Sequence, residues 1–282
     1  MKFITSLFLG LAMSVSMCAA EPADTVTVFM IGDSTMANKP LDKENQERGW
    51  GQMLPLYFNG AIKVDNHAVN GRSSKSFIGE GRWDKVKEKM RPGDYLIIQF
   101  GHNDEKFKDT TRYTVPGSTF DANLRKYVME AREKGVTPIL MNSIVRRNFP
   151  MPGQAPEETD DKQKAWKKGL ASYPEEGDSL VDTHGAYLDS PRNVAAELGV
   201  TFIDMNRLTH DYVQSLGPVA SKELFMWIPA GVYEFCPKGK IDNTHLNIYG
   251  GIVISRLALN ALAENVPGLR PYIRPEVYNL KK

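Results

Sequence analysis

Four short stretches of this chain carry groups that could do covalent chemistry together. Near the C-terminus, "KIDNTHLNIYGG" places Asp242 three residues before His245. Such a pair can cap a helix through Asp242 or Asn243, contribute to a metal site, or act as a base unit. In the last case Asp242 orients His245, whose other ring nitrogen takes a proton from a nucleophile. Ser34 in "GDST" (32–35) is a candidate nucleophile, although serine in such a turn is also a common cap. Gly71 in "NGRSSKS" (70–76) offers a backbone N–H with no side chain in the way. Asn103 in "GHND" (101–104) offers a side-chain amide. Amide donors aimed at one point are the parts of an oxyanion hole, which must meet negative charge as it develops on a carbonyl oxygen.

The elements between these stretches decide whether they can meet. Short apolar runs at 25–32, 61–69, 94–100 and 136–144, with a shorter one at 200–204, read as strands. Amphipathic stretches at 49–58, 82–90, 121–135, 186–199, 205–216 and 247–264 read as helices, the third capped by Asp121 and ended by Gly135. Strand alternating with helix argues for a parallel sheet covered by helices on both faces. In such sheets ligands bind beyond the C-terminal strand ends. Ser34, Gly71, Asn103 and the Arg146–Arg147 pair each follow a predicted strand, so they should share one rim. The polar segment 145–185 is long for a connection within a compact domain and reads as a loop bordering that rim.

Composition narrows the function. Lys and Arg total 35 against 34 Asp and Glu, which gives no broad basic footprint for nucleic acid. Residues 1–20 have an early lysine, an apolar core and a small-residue "CAA", the layout of a secretory signal peptide. That leader implies an exported protein, periplasmic or extracellular, with residues 21–282 as a single domain. Lipidation at Cys18 is the alternative processing route. Beyond the leader, no stretch has the apolar length of a membrane span. Removing the leader would leave Cys236 alone, so the fold needs no intramolecular disulfide. The five histidines come without H-E-x-x-H or C-x-x-C spacing, and no metal is expected. "GEGRWD" (79–84) has Asp84 where a dinucleotide loop needs glycine, and no G-x-S-x-G elbow occurs.

Taken in order, "MIGDSTMA", "AVNGRSSKSFIGEGRW", "GDYLIIQFGHND" and "DNTHLNIYGG" resemble the SGNH (GDSL-type) hydrolases. "GWGQMLP", "NLRKYVMEAREKGVTPIL", "VRRNF" and "DTHGAY" extend the resemblance to the rhamnogalacturonan acetylesterase branch, over about residues 25 to 265. Thr35 stands where many relatives have leucine. The resemblance implies a flavodoxin-like α/β fold with about five parallel strands between helices. It implies a serine esterase that removes acetyl groups from a polysaccharide without a cofactor. Ser34 would be the nucleophile, His245 the base and Asp242 its orienter, while Ser34, Gly71 and Asn103 would form the oxyanion hole. A pectic substrate carries carboxylates, for which Arg72, Arg146 and Arg147 are the candidate partners, with Lys75 and Arg82 nearby. Two alternatives stand beside this: an esterase acting on acetylxylan or lipid-like esters, and a glycan-binding protein on a hydrolase scaffold. Oligomeric state is open.

Overall fold

The computed structural model describes residues 25–154 and 173–279. The leader, Cys18 and the middle of the 145–185 segment lie outside the described residues.

Five strands form one parallel sheet: β1 (Val26–Gly32), β2 (Ile62–Asn66), β3 (Tyr95–Gln99), β4 (Thr137–Met141) and β5 (Thr201–Ile203). Their spatial order is β2-β1-β3-β4-β5. Period-two alternation sends successive residues to opposite faces. Val28, Met30, Ile97, Ile139 and Met141 enter one buried cluster. Phe29, Ile31, Leu96, Ile98 and Leu140 enter the other. The central strands are therefore apolar on both sides, as helices on both faces require.

The first face is covered by α1 (Trp50–Met53), α6 (Met205–Ala220) and α7 (Ile248–Asn265). The second is covered by α2 (Ser74–Gly79), α3 (Arg82–Lys87), α4 (Thr119–Glu133) and α5 (Asp189–Leu198). The chain reverses its direction of travel across the sheet between β1 and β3. That switch point opens a crevice at the C-terminal strand ends. Among the described residues, no helix is long and apolar enough to cross a membrane.

Several boundaries differ from those expected. The 49–58 helix is one α-turn followed by a 3₁₀ turn at Leu54–Tyr57, because Pro55 removes a backbone donor. The α6 stretch runs on to Ala220 through a break at Gly217, which precedes Pro218. Asp121 does not cap α4; it lies in the first turn, where its carboxylate accepts the Gly117 N–H at 2.8 Å. The turn after Gly71 contains α2, capped reciprocally by Ser73 and Ser76.

Candidate active site

The end of β1 delivers Asp33 and Ser34 to the crevice. Asp33 is fully buried, and its Oδ1 accepts the Thr35 amide at 2.9 Å and the Thr35 hydroxyl at 2.8 Å. Burial pushes its carboxyl up, against those two bonds and the nearby His245 and His184. The tight turn so pinned leaves the Ser34 side chain half-buried at the rim.

Ser34 Oγ lies 2.9 Å from His245 Nε2, and His245 Nδ1 lies 2.9 Å from Asp242 Oδ2. An ionised carboxylate only accepts, so Nδ1 donates to Asp242 and Nε2 is left to accept from the Ser34 hydroxyl. Asp242 is 1% exposed, and its Oδ1 also accepts the amides of Thr244 and His245 at 2.9 and 3.0 Å. The orienting group is thus fixed by its own backbone turn. The cap of the last helix is separate: Asn247 accepts the Gly250 N–H at 2.9 Å. Asn243, the alternative cap, instead accepts the Trp227 indole N–H at 2.9 Å.

The candidate donors, Gly71 and Asn103, lie in the next two turns. Gly71 has φ +76°, a left-handed conformation that suits glycine, and a Cβ there would meet nothing within 4 Å. Asn103, at the end of β3, donates from Nδ2 to the Arg72 carbonyl at 3.1 Å, which ties it to the residue after Gly71. Its Oδ1 accepts from Arg112 at 3.1 Å. Among the described residues, neither the Ser34 nor the Gly71 backbone N–H donates to a protein acceptor.

The arginines separate. Arg72 is a rim residue, bonded to Glu80 at 3.1 Å and to the Asn70 carbonyl at 2.9 Å. With Lys75, Arg112 and Glu80 it lines a groove of about 520 Å³ that reaches Gly71. Arg112 gave no sequence signal, because it lies in the irregular 104–118 stretch away from the strand ends. Arg146 is mostly buried, paired with Glu105 and bonded to Thr183 at 2.9 Å. Arg147 is 0% exposed, paired with Glu176 at 2.5 Å and bonded to Ser221 and to the Pro218 carbonyl. Substrate contact expected of Arg147 gives way to a structural role, since no surface is left on it. Arg147 also ties to Tyr173, so the described ends of the 145–185 segment close over this arginine. The Cys236 thiol is half-buried, and burial pushes it up.

A buried lysine, Lys39, and the half-buried Glu47 and Lys240 stand behind the Asp–His pair, and the motifs did not point to them. Glu47 meets Lys39 at 2.9 Å and Lys240 at 2.7 Å, and Lys240 lies 3.5 Å from Asp242 Oδ2. Burial pushes the Glu47 carboxyl up, but His245, Lys240 and Lys39 outweigh it and hold it at about 2.

Residues 30–218 match the GDSL-like lipase/acylhydrolase family model. The chain is 34% identical to rhamnogalacturonan acetylesterase RhgT of Bacillus subtilis (strain 168) over 85% of this chain and 90% of that protein. The crystal structure of B. subtilis YxiM aligns with a TM-score of 0.63 at 25% identity, covering 88% of this chain and 59% of that one. Axe2, an acetylxylan esterase from Geobacillus stearothermophilus, aligns with a TM-score of 0.52 at 16% identity over 84% and 94% of the two chains, a likeness of fold. On these matches, the chain belongs to the GDSL-like lipase/acylhydrolase family and is a carboxylic-ester hydrolase.

Proposed function

We propose that this protein removes O-acetyl groups from an acidic plant cell-wall polysaccharide, acetylated rhamnogalacturonan, through a Ser34 acyl-enzyme. The observation that carries the reading is the Ser34–His245–Asp242 relay, two contacts of 2.9 Å, set beside the donors of Gly71 and Asn103. Ser34 Oγ attacks the acetyl carbonyl as its proton passes to His245 Nε2. The Asp242 carboxylate holds the imidazole in register and stabilises its cation. The amides of Ser34 and Gly71 and the Asn103 side chain receive the oxyanion. Collapse breaks the bond to the sugar oxygen, which leaves with the proton from His245. Water, deprotonated by the same nitrogen, then releases acetate and restores Ser34. This chemistry requires no cofactor.

Two features support the substrate class. The relative RhgT is a rhamnogalacturonan acetylesterase. The groove reaching Gly71 carries Arg72, Lys75 and Arg112 against one carboxylate, Glu80, which favours an anionic sugar chain. The apolar leader of residues 1–20 supports export, where such a polymer is met, with residues 21–282 as the catalytic domain.

The test is acetate release from acetylated rhamnogalacturonan and acetylated xylan, by wild type and Ser34→Ala side by side. The expected result is strong preference for the pectic polymer and near-complete loss in Ser34→Ala. Preference for xylan overturns the substrate; full activity of Ser34→Ala overturns the mechanism.

A further inference from the structure

Behind the Asp242–His245 pair, charges alternate along a line that reaches the oxyanion side of the site. Lys240, two residues before Asp242, sits 3.5 Å from Asp242 Oδ2, the oxygen that receives His245 Nδ1–H. Its other partner is Glu47 Oε2 at 2.7 Å. The second oxygen of Glu47 meets Lys39 Nζ at 2.9 Å. Lys39 Nζ in turn donates to Asn70 Oδ1 at 2.6 Å, and Asn70 is the neighbour of Gly71. The line runs Asp242, Lys240, Glu47, Lys39, Asn70, so one carboxylate links the base to the oxyanion turn.

Its backbone is anchored to the same two places. Glu47 makes an antiparallel bridge with Asn247, and Arg48 N–H donates to the Leu246 carbonyl at 2.9 Å, so the Glu47 strip is clamped against residues adjoining His245. Lys39 is locked reciprocally to Gln52: its amide donates to Gln52 Oε1 at 2.9 Å and its carbonyl accepts from Nε2 at 3.0 Å. The Lys39 side chain is only 3% exposed. Buried ion pairs are poor sources of stability compared with apolar packing. A buried lysine and a half-buried one sharing one carboxylate behind the His245–Asp242 pair therefore call for a reason other than fold stability.

We infer that Glu47 and Lys240 are positioning residues which set the charge balance at His245, Lys240 opposing and Glu47 favouring the imidazolium that forms when Ser34 loses its proton. This rests on the Ser34–His245–Asp242 mechanism proposed above. The groups facing His245 are Asp242 from its own turn, Glu47 from the strip beside Leu246, Asp33 from the end of β1 and His102 from the end of β3. Burial moves Asp33 and His102 towards their neutral forms, up for the first and well down for the second. The balance is then carried by Asp242 and Glu47 on one side and by Lys240, with Lys39 behind it, on the other.

The two residues must act with opposite sign. Without the Lys240 cation, protonated His245 is better tolerated and the base is lost at higher pH. Without the Glu47 anion, it is tolerated less and the base survives to lower pH. The test is the pH profile of kcat/KM on a small neutral acetate ester, for wild type, Lys240→Met, Lys240→Arg, Glu47→Gln and Ser34→Ala. The acid limb is expected to move up by roughly one pH unit in Lys240→Met and down by a similar amount in Glu47→Gln. Lys240→Arg, which keeps the charge, returns the limb to its wild-type position. Limbs that stay put, or that move in the same direction in both variants, overturn the inference. If Lys240→Met does not fold, the near-isosteric Glu47→Gln decides alone: a downward move supports it, and none overturns it. Full activity in Ser34→Ala overturns the underlying mechanism instead, so the two failures are distinguishable.

Discussion

Asn103 is held from both ends. Its amide donates to the Arg72 carbonyl and its oxygen accepts from Arg112, at 3.1 Å each. A side chain with two χ angles thus has its plane fixed before a substrate arrives, and one amide hydrogen remains for a developing oxyanion. Asn103→Ala is expected to lower kcat by about 10²–10³ while KM changes little. Gly71→Ala differs in kind. It keeps the N–H and meets no neighbour, but forces a Cβ into φ +76°, a strain of about 1–2 kcal/mol. The expected outcome is a lower melting temperature with a smaller loss of kcat than Asn103→Ala. Steady-state kinetics and calorimetry on the two variants check this, and an unchanged kcat in Asn103→Ala removes that side chain from the hole.

At the scale of elements, strand identities were legible because continuous apolar, β-branched runs, the mark of parallel strands buried on both faces, are local signals. The Asp242-x-x-His245 unit was legible because one turn holds both residues. Features set by distant partners were not. The cap of α7 is Asn247 rather than Asn243, because Asn243 is drawn to Trp227 across the fold. The α2 helix was hidden because Ser76 stands where a capping box has Glu or Gln. Lys39, Glu47 and Lys240 meet only in the folded chain, so no spacing announced them. The start of α7 illustrates how an element positions His245, the proposed base. A Cβ on Gly250 would fall 1.9 Å from the Leu224 carbonyl oxygen, so this close approach admits only glycine. The same contact zone receives Asn247 N–H at the Leu224 carbonyl, 3.1 Å away, two residues after His245. Gly250→Ala is expected to destabilise the protein by about 1–3 kcal/mol, as overpacking does. It should also lower kcat, because the turn carrying His245 must shift. A denaturant midpoint unchanged from wild type contradicts the close packing.

Across the whole molecule, the arginines show how one residue type divides between fold and function. Arg72 lies on the groove with part of its surface in solvent, whereas Arg147 joins four distant parts of the chain. Its guanidinium pairs with Glu176, bonds to Ser221 and the Pro218 carbonyl, and packs 5.4 and 5.0 Å from the rings of Phe149 and Trp227. Its backbone N–H donates to the Asn243 carbonyl at 2.8 Å, beside Asp242. The end of β4, the segment leading to α5, the end of α6 and the Asp242–His245 turn therefore share one buried cation. Replacing it by methionine keeps much of the volume but leaves Glu176 with Lys222, at 2.9 Å, as its remaining ion-pair partner among the described residues. Arg147→Met is expected to cost about 3–5 kcal/mol, read as a fall in the urea midpoint. Part of that cost comes from the stranded carboxylate, so adding Glu176→Gln should recover some of it. Arg72→Ala should leave the midpoint nearly unchanged and raise KM on acidic polymer. If Arg147→Met instead unfolds at the wild-type midpoint while KM on that polymer rises, the guanidinium reads substrate and the structural role assigned to it is wrong.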